Sequence, residues 1–180
     1  MSFNGTPLIK RIHDRFSGIG QETILITNSE TGYADFGLPI FQDIIPDRGA
    51  LGGLYTALTF ARKPYVGIIA ADLPFSSPRL LLRLLELTQS SEADAALPST
   101  EFGLEPMHAV YKRESCLPLV KNALEQNQWK MIAWHDHAKV EVLDPEQTRR
   151  AAGTNYTFEN VNTPKDFQAA EKLAAENPEL

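Results

Sequence analysis

The chain has 180 residues, 43% hydrophobic and 22% charged, with a formal net charge of −6 and a pI near 5.2, which is the composition of one soluble globular domain with a full-sized core. An acidic balance argues against a protein built to grip nucleic acid, because neutralising phosphates takes clustered Lys and Arg. No apolar run approaches the ~20 residues of a membrane span, and the single cysteine, Cys116, allows no internal disulfide and fits a reducing compartment such as the cytoplasm.

The first segment, TPLIKRIHDRF, carries Leu8, Ile9, Ile12 and Phe16 at helical spacing, with Pro7 suited to the first turn and Gly18 and Gly20 ending it. ETILITN (22–28) is a β-branched run that closes on Asn28. LPIFQD (38–43) reads as a second short strand, ending in Asp43. DRGALGGLYTALTFA opens on glycines and becomes helical from about Leu51 to Ala61. YVGIIAAD (65–72) is apolar almost throughout, the mark of a strand covered on both faces, and it ends in Asp72 just before Pro74. SPRLLLRLLELTQ (77–89) begins with a Ser-Pro cap signal and is a helix. ADAALP (93–98) and PMHAVYK (106–112) predict strands, and ESCLPLVKNALEQ (114–126) a helix with Pro118 in its first turn. KVEVL (139–143) alternates, TFENVN (157–162) is short and strand-like, and TPKDFQAAEKLAAE (163–176) is a terminal helix capped by Thr163.

Strands alternating with helices imply a mostly parallel sheet with helices on both faces and no linker that divides the chain. Ligands on such sheets bind outside the carboxyl ends of the strands. Asn28, Asp43, Asp72 and the pair Asn160/Asn162 all fall at or just after predicted strand ends, so they converge on one edge. An acid at the tip of a strand suits Mg²⁺, which prefers carboxylate and phosphate oxygens; the competing reading of Asp72 is an Asx-turn before Pro74. Gly49, Gly52 and Gly53 in RGALGG precede a helix, where small residues let backbone amides approach an anion, although a tight loop without a ligand explains them as well. The segment is neither a Walker A loop nor G-x-G-x-x-G. His135 and His137 flank Asp136 but have no further metal ligand nearby in sequence, and His13, His108 and Cys116 read as structural.

Taken together and in order, NGTPLI, ILITN, QDIIPDRGALGGL, IIAADLPF, EPMHAVY and ENVNTPKDF resemble the molybdenum cofactor guanylyltransferases, members of the nucleotidyltransferase superfamily. The likeness runs from Asn4 to Phe167. It implies a single domain with the Rossmann-like three-layer α/β/α sandwich, and transfer of GMP from GTP to molybdenum-loaded molybdopterin with release of pyrophosphate. It also implies Asp72 as the catalytic Mg²⁺ ligand, Asn28 and Asp43 at the guanosine, and the glycines of GALGG against the nucleotide. Asn160 and Asn162 would lie near the phosphates and the second substrate, and a molybdoenzyme would receive the finished cofactor. Within the same fold, a cytidylyltransferase, a sugar-phosphate nucleotidyltransferase and a non-catalytic binding paralogue remain open.

The departure lies at the start. Family members carry a strand and a glycine-rich loop, L-A-G-G-x-S-x-R-M-G, ahead of NG-x-P-L, and those glycines and basic residues cradle the triphosphate. The present sequence begins MSFNGTPLI. The expectation is a domain N-terminally incomplete relative to the family, through a late start or degeneration, with little activity as it stands.

Overall fold

A computed structural model describes all residues except Met1, Asn4, Glu30, Thr31, Ala34 and Asp35. Asn4, which opens the NGTPLI piece, therefore lies outside the described residues.

The elements in chain order are β1 (Ser2–Phe3), β2 (Thr6–Pro7), α1 (Leu8–Arg15), β3 (Leu25–Ile26), β4 (Ile40–Phe41), α2 (Gly49–Phe60), β5 (Tyr65–Ile69), α3 (Pro78–Ser90), β6 (Ala95–Thr100), β7 (Gly103–Leu104), β8 (His108–Lys112), α4 (Arg113–Glu125), a 3₁₀ turn (His135–His137), β9 (Val140–Leu143), α5 (Pro145–Ala152) and α6 (Pro164–Glu176). Strands β5, β8, β6 and β7 form the main sheet in that order, with β9 on the other side of β6. Strands β3 and β4 make a parallel pair of their own, and β1 and β2 an antiparallel one.

Period-two alternation builds three layers. Ala95, Leu97, Ala109 and Tyr111 point to one face, where Leu51, Leu54 and Leu58 of α2 and Cys116, Val120 and Leu124 of α4 cover them. Ala96 and Val110, the residues between, point to the opposite face, against Leu80 and Leu84 of α3 and Ala152 of α5. The expected α/β/α sandwich is present. A third apolar cluster joins Phe3, Leu8, Ile12, Phe75, Val161, Phe167 and Ala170. It binds α1 and α6 to the segments that follow β5 and α5.

Several expectations are corrected. The main sheet is mixed, since β8 runs antiparallel to both β5 and β6, and only β6–β9 is parallel within it. Strand β5 ends at Ile69, three residues before Asp72, and only Val66 in it is buried. Its apolar run is therefore less covered than its composition suggests; among the described residues it pairs on one side only, as does β3. TFENVN forms no strand: residues 157–158 turn and 159–162 run irregularly into the cap of α6. Pro118 sits in the second turn of α4, five residues past its first residue Arg113, and is accommodated there. Helix α5 adds an element whose signal lies in DPEQ: Asp144 Oδ1 accepts from the Gln147 amide, Gln147 Oε1 accepts from the Asp144 amide, and Gly153 closes the helix at φ 77°.

Cys116 is buried, donates to the Asp94 carbonyl oxygen at 3.0 Å, and burial pushes its thiol up to about 12. It is a core residue, not a nucleophile. His108 is fully buried between the rings of Phe16 and Phe158, with Nε2 3.1 Å from the Ser77 carbonyl oxygen, so the neutral ring carries its proton on Nε2. Burial lowers its pKa from 6.5 to about 4. The unfolded chain then takes up a proton near pH 6.5 that the folded chain refuses until about pH 4. Stability is full above pH 6.5 and falls through that window, by about 3 kcal/mol at ~1.36 kcal/mol per pH unit. His108→Gln is expected to lose this component, so urea-unfolding energies of the two proteins should converge between pH 6.5 and 4; parallel curves would show that His108 is not what couples stability to pH.

Candidate functional site

The carboxyl-end rule can be checked without any ligand. Glu22, three residues before β3, accepts from the backbone amide of Arg62, three residues before β5, at 2.9 Å. Strands β3 and β5 thus start side by side, and α2 packs against both. Since β4 is parallel to β3, and β6 and β9 share the direction of β5, the carboxyl ends of these strands lie on one edge of the domain.

Two groups of expected residues meet there. In the first, Asn28 follows β3 and Asp43 follows β4, and the two clasp each other. Asn28 Nδ2 donates to Asp43 Oδ2 at 2.9 Å, and the Asp43 amide donates to Asn28 Oδ1 at 2.9 Å. The next residue is tied to α2: the Ile44 amide donates to Thr56 Oγ1 at 3.0 Å, and that hydroxyl donates to the Gly52 carbonyl at 3.0 Å. Asp43 is thereby held from both sides. Its second oxygen, Oδ1, is buried without a hydrogen-bond partner among the described residues. A buried acceptor left unpaired costs about 1–3 kcal/mol, so this oxygen is poised for a donor.

The three glycines serve three purposes. Gly49 opens α2 at φ 55°, a left-handed conformation that side chains resist. Gly52 has no room: a Cβ there would stand 2.9 Å from Arg48 Cβ and 3.2 Å from the Ile45 carbonyl oxygen. Gly53 differs, because outside its own helix backbone a Cβ built on it would meet, among the described residues, only Asp43 Oδ1, at 3.8 Å. A side chain at position 53 would therefore stand in van der Waals contact with the unpaired oxygen. Arg48, the residue before the helix, caps it with no side-chain hydrogen bond and instead lies over the half-exposed Trp129 ring at 5.0 Å.

The second group surrounds Asp72, in the turn after β5. Its carbonyl oxygen accepts from the Val161 amide at 2.9 Å. Val161 is buried while Asn160 and Asn162 on either side are exposed, so one hydrogen bond brings both asparagines beside the half-buried Asp72. The 160–162 segment is fixed in turn by the start of α6. Asp166 Oδ2 accepts from the amides of Asn162 (3.1 Å) and Thr163 (2.8 Å), and Thr163 Oγ1 accepts from the Asp166 amide. Those backbone donors hold the Asp166 carboxyl below the usual carboxylate range. The VNTPKD motif is therefore first a capping box, and through it a device for presenting two amides.

Among the described residues no three His, Cys, Asp or Glu side chains gather as a metal-binding group. His135 and His137 lie on the 3₁₀ turn, and burial lowers the pKa of His135. The donor set at Asp72, one carboxylate flanked by two amides, suits a hard cation that arrives with phosphate oxygens rather than one held in an all-protein cage. One residue that sequence reasoning passed over is Glu105, half-buried near the end of β5: the Ala70 amide donates to the Met107 carbonyl at 2.8 Å, and desolvation raises the Glu105 pKa.

The contrast between Gly52 and Gly53 can be tested directly. Gly52→Ala is expected to destabilise the fold by about 1–3 kcal/mol through overpacking. Gly53→Ala should leave stability unchanged or raise it by up to ~1 kcal/mol, as removing a helix-interior glycine does, while weakening nucleotide binding. Melting temperatures with and without nucleotide distinguish the two; a Gly53→Ala protein that binds nucleotide like the parent would show that the space beside Asp43 is not used.

Comparison with known proteins accords with this geometry. The model of the MobA-like NTP transferase domain matches residues 1–140. The chain is 33% identical over 176 residues to a probable molybdenum cofactor guanylyltransferase of Natronomonas pharaonis, covering 92% of this chain and 84% of that one. It is 30% identical over 170 residues to a probable molybdenum cofactor guanylyltransferase of Pelotomaculum thermopropionicum, covering 94% and 81%. In three dimensions it resembles molybdopterin-guanine dinucleotide biosynthesis protein A from Archaeoglobus fulgidus, with a TM-score of 0.83 at 23% identity over 98% of this chain and 89% of that one. It also resembles 2-C-methyl-D-erythritol 4-phosphate cytidylyltransferase from Thermus thermophilus, with a TM-score of 0.69 at 16% identity over 97% and 92%. At these identities the structural likeness speaks to the fold, and the sequence matches carry the kinship: the chain belongs to the MobA-like NTP transferase family, as a nucleotidyltransferase of the molybdenum cofactor guanylyltransferase type.

Proposed function

We propose that the chain transfers GMP from GTP to the phosphate of molybdenum-loaded molybdopterin, releasing pyrophosphate and forming the guanine dinucleotide cofactor. The observation that carries this reading is the Val161–Asp72 hydrogen bond, which sets a carboxylate and two amides together on the edge where Asn28 and Asp43 also lie. Phosphoryl transfer of this kind asks little covalent chemistry of the protein; it asks for positioning and charge compensation.

Each part has a role in that scheme. Asp43, braced by Asn28 and Thr56, offers its unpaired oxygen to the N–H edge of guanine beside Gly53. The first-turn amides of α2 point toward the phosphate chain. Asn160 and Asn162 donate to oxygens of the phosphates and of the acceptor, aligning the acceptor phosphate with the α-phosphorus while pyrophosphate leaves on the far side. Asp72 would hold Mg²⁺, which when bound offsets the repulsion between the two phosphate groups. No helix among the described residues is long and apolar enough to cross a membrane.

Two experiments test this reading. In the first, pyrophosphate release from GTP with molybdopterin is expected to depend on added Mg²⁺ and to vanish with Asp72→Asn, which removes the charge and keeps the shape. An active Asp72→Asn protein would refute the role of Asp72.

The second concerns the base. Guanine presents N1–H and a 2-amino group, both donors, whereas adenine presents an N1 acceptor that would face Asp43 unpaired. At about 1–3 kcal/mol for that mismatch, GTP should bind roughly 5- to 100-fold more tightly than ATP. Titration calorimetry of the parent and of Asp43→Ala, with CTP and UTP as further arms, should show the preference and its loss; equal GTP and ATP affinities in the parent would remove Asp43 from base reading.

A further inference from the structure

We propose that Arg11 and Arg15 are positioning residues for Asp72, holding the turn that carries it through main-chain carbonyls 61 and 63 residues away. The inference rests on the reading of Asp72 as the metal-binding carboxylate and extends it to the parts that fix that carboxylate in space.

The segment Asp72–Ser77 leaves β5 and reaches α3 without a strand partner. Locally it has the Leu73 amide on the Ala70 carbonyl (3.4 Å) and the Ser76 amide on the Leu73 carbonyl (3.2 Å). Its other anchors come from remote parts of the chain. The Asp72 carbonyl accepts from Val161 (2.9 Å), Pro74 from Arg11 Nε (3.1 Å), Ser76 from Arg15 Nε (3.0 Å) and Ser77 from His108 Nε2 (3.1 Å). Ser77 is tied further to Ala152 and to the first turn of α3, so without the remote donors residues 72–76 would keep only the two local hydrogen bonds.

Arg11 and Arg15 lie four apart on one face of α1. Each spends a second guanidinium nitrogen on the main-chain oxygen of Leu180, and Arg11 lies over the rings of Phe3 (4.8 Å) and Phe75 (5.7 Å). Both are part-buried, and among the described residues neither pairs with an Asp or Glu side chain. Desolvating a cation is costly, and an apolar residue would fill a helix face beside Phe75 at less cost. What the guanidinium provides, and an apolar side chain or a lysine does not, is a planar fork that donates in two directions at fixed angles. Here one tine meets the turn and the other meets Leu180. The fork thus ties the turn to α1 and to the end of the chain at once.

The test uses the 180-residue chain with Mn²⁺ as a paramagnetic stand-in for Mg²⁺, GTP present, and three readouts: Mn²⁺ affinity by electron paramagnetic resonance, amide hydrogen exchange of the peptide covering residues 70–77, and thermal melting. Arg15→Met and Arg11→Met keep the packing stem and remove the fork. Each is expected to melt cooperatively, to exchange faster across residues 72–77, and to bind Mn²⁺ about tenfold more weakly, the scale on which outer-shell partners affect metal sites. GTP affinity without metal should be unchanged. Arg15→Lys, which keeps the charge and one donor, should fall between parent and Arg15→Met, and it carries the test if the methionine variants fail to fold. Unchanged Mn²⁺ affinity in folded arginine variants, even with faster exchange, overturns the proposal, since the arginines would then stabilise the fold only. Asp72→Asn separates the layers: if it binds Mn²⁺ like the parent, the reading of Asp72 fails and this inference with it; if it loses Mn²⁺ while the arginine variants do not, only the inference fails.

Discussion

A single main-chain hydrogen bond, Val161 N–H to the Asp72 carbonyl, joins two parts of the chain that are far apart in sequence and makes one site of them. It survives because both ends are seated in the same apolar cluster. Phe75, three residues after Asp72, packs edge-on to Phe3 with ring centroids 6.1 Å apart, and Val161 packs in that cluster with Phe167 of α6. Burial of these side chains is what aligns the two backbones; the hydrogen bond then sets their register, and the polar residues alternating with Val161 are left facing outward.

The base-reading half of the site rests on a different device. Asn28 and Asp43 exchange two hydrogen bonds across the ends of a two-residue parallel pair that could scarcely hold itself together. The stability comes from α2, whose Thr56 grips the chain just after Asp43 and whose leucines are buried against the main sheet. The helix is thus both a core element and the support of a carboxylate. Its glycines divide between those duties: Gly52 permits close packing, and Gly53 leaves space in front of Asp43.

Both halves keep a charge where it is costly, and the cost is met by geometry. Asp43 retains an unpaired buried oxygen, and Arg11 and Arg15 keep part-buried guanidiniums that donate to main-chain oxygens. The core elsewhere follows the ordinary rule, with Cys116 and His108 buried in neutral form.

The amino-acid sequence by itself determined the sandwich and the identity of the edge residues. Helical spacing over 8–16 and 164–176, β-branched runs, and caps such as Ser77 and Thr163 are local signals, because they arise from contacts within one turn or one strand. The polar endings Asn28, Asp43 and Asp72 were legible for the same reason, each standing where an apolar run stops. What the sequence could not convey is decided between elements. Antiparallel β8 looks like any parallel strand, since pairing direction depends on a neighbour many residues away. TFENVN has the composition of a strand but finds no ladder partner, because Val161 spends its amide on Asp72 and Asp166 takes the next two. The roles of Arg11 and Arg15 were invisible for the strongest reason of all. On a helix they read as solvated charges, and only the tertiary fold brings the carbonyls of Pro74 and Ser76 within their reach.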